Sequence, residues 1–127
     1  MSRVYPRTLR VGEQIHRELA ELIRRDLRDP MLGMVTLAEV DVAPDFAHAK
    51  VYFTVIGNEP DEKKQIETST AALARAAGFL RRELGKRLRL RSIPQLRFIY
   101  DESERRAARL ESLLADERRR QGGDDQP

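Results

Sequence analysis

The chain has no cysteine among its 127 residues, so disulfides, thiolate nucleophiles and cysteine-ligated metals are excluded. Only two histidines occur, His16 and His48, on different predicted elements with no second histidine or carboxylate at ligand spacing. Both read as surface residues. No P-loop, nucleophile elbow or zinc pattern occurs, so no metal, cofactor or small-molecule substrate is expected, and nothing in the chain points to catalysis. Apolar runs stay far below transmembrane length, and the opening MSRVYPRTLRVG lacks the apolar core of a signal peptide. No membrane association is expected, and a cytoplasmic location is the default.

What the chain has in abundance is charge. Charged residues make up 35% and hydrophobic ones 40%, a surface-rich but globular composition. The net charge of +3 hides an uneven distribution. Residues 75–97 hold Arg75, Arg81, Arg82, Lys86, Arg87, Arg89, Arg91 and Arg97 against the single acid Glu83. Every other part of the chain mixes signs. Concentrated positive charge selects polyanions, nucleic acid before anionic membrane.

Periodicity supplies the elements. Val11, Ile15, Leu19, Leu22 and Ile23 stripe a helix over about 8–27, closed by Asp29-Pro30. Met34–Val42 reads as a strand whose alternation slips at Ala38-Glu39, as a bulge would make it. Residues 47–56 alternate cleanly, so the two strands form an antiparallel hairpin around Ala43-Pro44-Asp45. From Ile66 onward Thr70, Leu73, Ala77, Leu80, Leu84 and Leu88 keep helical spacing, and Pro94 then opens a third strand, Gln95–Tyr100. A strand regained after a helical crossover lies parallel to its neighbour. Asp101-Glu102-Ser103-Glu104 resembles a capping box before a last helix with a thin stripe of Ala107, Leu110, Leu113 and Leu114.

The central helical stretch would exceed 20 residues if unbroken, overhanging a domain of roughly 14 Å radius of gyration. A kink is expected at Ala76-Ala77-Gly78, because glycine costs about 1 kcal/mol in a helix interior. Phe79 supports it: in a straight helix it joins the charged face beside Arg75 and Lys86, and a bend would turn it inward. The fold class is therefore α+β, order α-β-β-α-kink-α-β, with helices packed on a three-stranded mixed sheet and a short C-terminal helix. The divisions are a flexible arm (1–6), a domain (7–101), the helix (102–118) and a disordered tail (119–127).

That order, with an Ala-x-Gly kink where ordinary KH domains carry a Gly-x-x-Gly loop, resembles a type II KH domain. More closely, the chain resembles the bacterial ribosome-binding factor A family. The matching segments are Arg28-Asp29-Pro30-Met31-Leu32, the Asp45…Ala49-Lys50-Val51-Tyr52 strand and Ala76-Ala77-Gly78-Phe79-Leu80-Arg81. They continue with Leu84-Gly85-Lys86, Arg89-Leu90-Arg91-Ser92-Ile93-Pro94-Gln95-Leu96, and Phe98 with Tyr100-Asp101-Glu102-Ser103. The resemblance spans about residues 5–114. It implies a small monomeric factor that binds the immature small ribosomal subunit and its rRNA. It also implies a part in late maturation and 5′-end processing, release when the subunit matures, and importance for growth in the cold.

The candidate RNA-binding residues are Arg75, Gly78, Arg81, Arg82, Lys86, Arg87, Arg89 and Arg91, centred on 81–91. Contact by about six basic groups with single-stranded phosphates predicts a log affinity against log salt slope near −4. Phe53 and Phe98 are in apolar phase and belong to the core, leaving Tyr52 as the surface aromatic. The competing reading is a protein-interaction module that docks a ribosomal protein or processing enzyme through its amphipathic helices.

Overall fold

The computed structural model describes residues 6–57 and 59–124, and side chains as far as residue 120. Three helices and three strands follow one another as α1 (Arg7–Asp26), β1 (Met34–Val42), β2 (His48–Ile56), α2 (Glu62–Arg87), β3 (Gln95–Tyr100) and α3 (Ser103–Asp124). The sheet order is β1-β2-β3, with β2 antiparallel to β1 and parallel to β3. This is the expected mixed sheet. The register slips between Leu37 and Glu39, which puts the bulge where alternation failed in the sequence and returns Val40 and Val42 to the inner face.

One sheet face carries the core. Ala49, Val51 and Phe53 of β2 are fully buried between Leu37 and Val42 of β1 and Phe98 of β3. Ile15, Leu19 and Leu22 of α1 and Leu73, Leu80 and Leu84 of α2 close over them with no exposed surface. Gly12 lets α1 approach the sheet: a Cβ there would lie 2.7 Å from the Val40 carbonyl oxygen. The Phe53 and Tyr100 rings meet edge to face at 6.0 Å. No helix among the described residues is long and apolar enough to cross a membrane.

The kink expected at Ala76-Ala77-Gly78 does not divide the helix. Glu62–Arg87 is one α-helix of 26 residues, about 39 Å long at 1.5 Å per residue, and Phe79 is 36% exposed. The reason is phase. Leu73, Leu80 and Leu84 lie on one side of a straight helix and are all buried, so the core is served without a reset at Gly78. Overhang is resolved at the other end. There the buried face turns polar: Gln65 Nε2 donates to Ser69 Oγ at 2.8 Å, and Ser69 Oγ accepts from the Gly33 amide at 3.3 Å. Gln65 Oε1 accepts from the Glu59 amide at 3.2 Å, and Asp61 Oδ1 caps the helix from the Lys63 and Lys64 amides. The first turns of α2 therefore cover two connections rather than the sheet.

The C-terminal helix is longer than the sequence indicated. It continues through 119–124, where a disordered tail was expected, with ion pairs Arg119–Asp116 and Arg120–Glu117 three residues apart along it. Residues 125–127, like residues 1–5 of the expected arm, lie outside the described residues. Asp101 is not the cap of α3 either. It is fully buried, with Arg109 Nη2 at 2.7 Å and Arg105 Nε at 3.6 Å. These are charge contacts without aligned hydrogen-bond geometry.

Candidate nucleic-acid interface

The C-terminal half of α2 and the connection from Leu88 to Pro94 carry the concentrated charge, and the structure divides its members into three kinds. Arg81 and Arg87 are built into the fold. Arg81 Nε donates to the Ile93 carbonyl at 2.9 Å, tying the connection back onto the helix. Arg87, with its side chain 30% exposed, reaches Glu18 Oε1 at 3.2 Å and Glu21 Oε1 at 3.9 Å, bridging α2 to α1. Releasing either costs tertiary structure.

Arg75 and Lys86 are paired more loosely. Arg75 Nη2 meets Asp29 Oδ2 at 3.1 Å with 61% of its side chain exposed, and Lys86 Nζ meets Glu83 Oε2 at 2.9 Å with 73% exposed. Such surface pairs are worth about 0–1 kcal/mol, so an RNA phosphate competes with them readily. The Asp29 carboxyl is held below its ordinary value, first by the Met31 amide hydrogen bond and then by Arg75. Glu21 is likewise lowered, mainly by its hydrogen bond from Arg25.

Arg82, Arg89 and Arg91 are exposed and make no ion pair among the described residues. Within the half-helix and the connection they are the free cations, as Arg97 is on β3. Arg82 lines a shallow cleft of about 340 Å³ together with Gly78, Arg81 and Ile93. A Cβ on Gly78 would meet nothing nearer than Arg82 Nη1 at 3.8 Å, so glycine here leaves open space rather than relieving a clash. Its place in the site is the bare backbone at the cleft, not a hinge. The arrangement can seat an extended chain of phosphates without reading sequence.

Two expected surface residues are otherwise engaged. One face of Tyr52 is taken: the Arg105 guanidinium of α3 lies in van der Waals contact 3.7 Å from its ring centroid and pairs with Glu39. His16 is half-buried, with Nε2 3.0 Å from the Leu37 carbonyl, and donates to the open edge of β1. Phe53 and Phe98 are core residues as expected. Among the described residues no group of three or more His, Cys, Asp or Glu side chains is placed to hold a metal ion. The turn residue Phe46 and the helix-start residue Arg7, which the sequence did not single out, come within 5.5 Å of each other beside Arg91. Only an arginine near an aromatic in space, not in sequence, could have signalled them.

Comparison with known proteins adds three findings. The family model described as "Ribosome-binding factor A" matches residues 7–114. A relative of that name from Thioalkalivibrio sulfidiphilus is 59% identical over 114 residues, covering 90% of this chain and 85% of its own. The crystal structure of ribosome-binding factor A from Thermus thermophilus superposes with a TM-score of 0.63 at 31% identity, over 73% of this chain and 93% of its own. A homology model of the same Thermus factor, as fitted into a cryo-electron microscopy map of a 30S complex, gives 0.59 at 32% identity, over 72% and 92%.

Proposed function

The chain belongs to the ribosome-binding factor A family, and from that membership we propose that it binds the small ribosomal subunit through its rRNA. On this reading it assists late subunit maturation and 5′-end processing without catalysing a step. The observation that carries the RNA contact is that Arg82, Arg89 and Arg91 are exposed and unpaired among the described residues, with Arg82 lining the Gly78 cleft. The Thermus relative fitted into a 30S complex supports the choice of the small subunit as partner. The protein acts as a cytoplasmic monomer in this account.

The mechanism is selective binding. A factor shifts an equilibrium between conformations of an unfinished subunit only by its differential affinity for them. Phosphates held by the free arginines favour the conformation that presents a continuous backbone along α2. Three free cations plus the two exchangeable ones give three to five phosphate contacts. The salt slope should then be about −2 to −3.5, shallower than the slope near −4 that about six contacts would give.

Sedimentation of extract tests the proposal. The protein should migrate with free small subunits rather than assembled ribosomes, and high salt should strip it. Purified protein should show the stated slope on subunit RNA, and Arg82→Glu with Arg89→Glu should weaken it on the order of tenfold or more. Salt-independent affinity would overturn the electrostatic grip.

A second reading has one observation in its favour. Leu110, Leu113 and Leu114 of α3 are 57%, 58% and 50% exposed at i, i+3, i+4 spacing, the pattern of a helix that docks a protein groove. Leu110→Ser with Leu114→Ser should leave subunit binding intact if RNA is the partner. Loss of binding there, with the arginine double variant still bound, would favour protein docking.

A further inference from the structure

At one end of the basic surface the start of α1, the β1–β2 turn and the α2–β3 connection meet. They enclose a cavity of about 240 Å³ lined by Arg7, Val11, Asp45, Phe46, Leu90 and Arg91, among others. Phe46 is the anomaly. It has φ +61°, the one positive φ at a non-glycine position among the described residues. Its amide donates to the Ala43 carbonyl at 2.8 Å and the next amide, of Ala47, donates to Asp45 Oδ1 at 3.0 Å. Glycine or asparagine fits such a left-handed turn position without strain, whereas a bulky side chain does not.

Backbone strain retained at one residue calls for an explanation in what the side chain does. Part of the answer is packing, since Phe46 is half-buried against the core cluster. A plug, however, needs neither an open cavity beside its ring nor a guanidinium over it. Here both are present, the Arg7 guanidinium carbon lying 5.5 Å from the ring centroid. Val11 and Leu90 supply apolar walls, and exposed Arg91, two residues along the chain from exposed Arg89, adds an unpaired cation to the lining.

An aromatic face, a planar cation, apolar walls and a cationic mouth together suit one flat heteroaromatic ring on a phosphate chain. We infer that this cavity takes a single unstacked nucleobase, stacked on Phe46 and Arg7, from the same single-stranded RNA whose phosphates follow Arg82, Arg89 and Arg91. The inference rests on the RNA-binding reading and deepens it: the protein grips a strand whose bases are free to splay, not a duplex. Asp45, the one carboxylate of the lining, is an acceptor for a ring N–H or an exocyclic amino group on the edge of that base.

The test compares two oligomers of equal length and charge, an unstructured RNA carrying 5-bromouridine and its abasic counterpart, binding to the full chain. The wild type should prefer the RNA by roughly five- to hundredfold, the range one stacked base contributes. Phe46→Leu keeps apolar packing and removes the aromatic face. It should bring the two affinities within about twofold by weakening the RNA alone, with an unchanged melting temperature marking an intact fold. Arg7→Gln, at the rim, should narrow the preference in the same direction.

Photocrosslinking of the wild type needs no variant and should map to Phe46. Equal affinity of the wild type for both oligomers, or crosslinks only outside residues 43–47, would overturn the base pocket and leave the phosphate grip standing. Binding to neither oligomer would overturn the RNA reading itself.

Discussion

Single residues of this protein carry constraints that differ in kind. Gly12 is fixed by proximity: its Cβ position lies 2.7 Å from a backbone oxygen of β1, which has no freedom to move away. Gly12→Ala should therefore cost about 1–3 kcal/mol, through displacement of α1 from the sheet, as read by urea unfolding. Asp29 is fixed by charge. Its carboxyl is lowered in the folded state by the Met31 amide and then by Arg75, so it binds a proton less readily there than in the unfolded chain. That contribution is complete above the unfolded value and is lost as pH falls below roughly 4. Asp29→Asn should flatten the acid limb of the stability curve by lowering its neutral plateau, while leaving stability below about pH 4 nearly unchanged. A steeper acid limb would contradict this assignment.

At the scale of elements, α2 and α3 are held by opposite means. α2 is seated by Leu73, Leu80 and Leu84, and its continuity through Gly78 makes a clear expectation. Gly78→Ala places a methyl in open space within an unbroken helix, so it should stabilise the protein by about 0.5–1 kcal/mol. Destabilisation by that change would restore the kink. α3 is seated instead by arginines on a buried carboxylate, with Arg105 also lying on Tyr52. Arg109→Ala leaves Asp101 short of a partner and should cost about 3 kcal/mol, whereas Asp101→Asn with Arg109→Ala should recover part of that loss. Denaturation of the two variants in parallel checks it. This latch explains why the capping-box reading of Asp101 failed. A carboxylate before a helix caps it only where it stays near the first-turn amides, and the end of β3 buries this one against Arg105 and Arg109.

For the molecule as a whole, charge sits on one surface and the core on one sheet face, and only the second arrangement was fully legible in the sequence. Period-2 and period-3.6 patterning report which side of an element is apolar, because that is a property of neighbouring residues along the chain. From this alone came the order of elements, the mixed sheet, the bulge beside Ala38 and the membership of Phe53 and Phe98 in the core. The density of arginine over 75–97 was likewise a fact of sequence, and with it the expectation of a polyanion partner. What the tertiary structure decided is which of those arginines are at liberty. Arg87 is held by acids dozens of residues earlier and Arg81 by a carbonyl twelve residues later, while Arg82 and Arg89 face open solvent. The same is true of Tyr52 under Arg105, and of Phe46 beside Arg7 and Arg91. Each of these depends on groups distant in the chain becoming adjacent in space, and no local period encodes that adjacency.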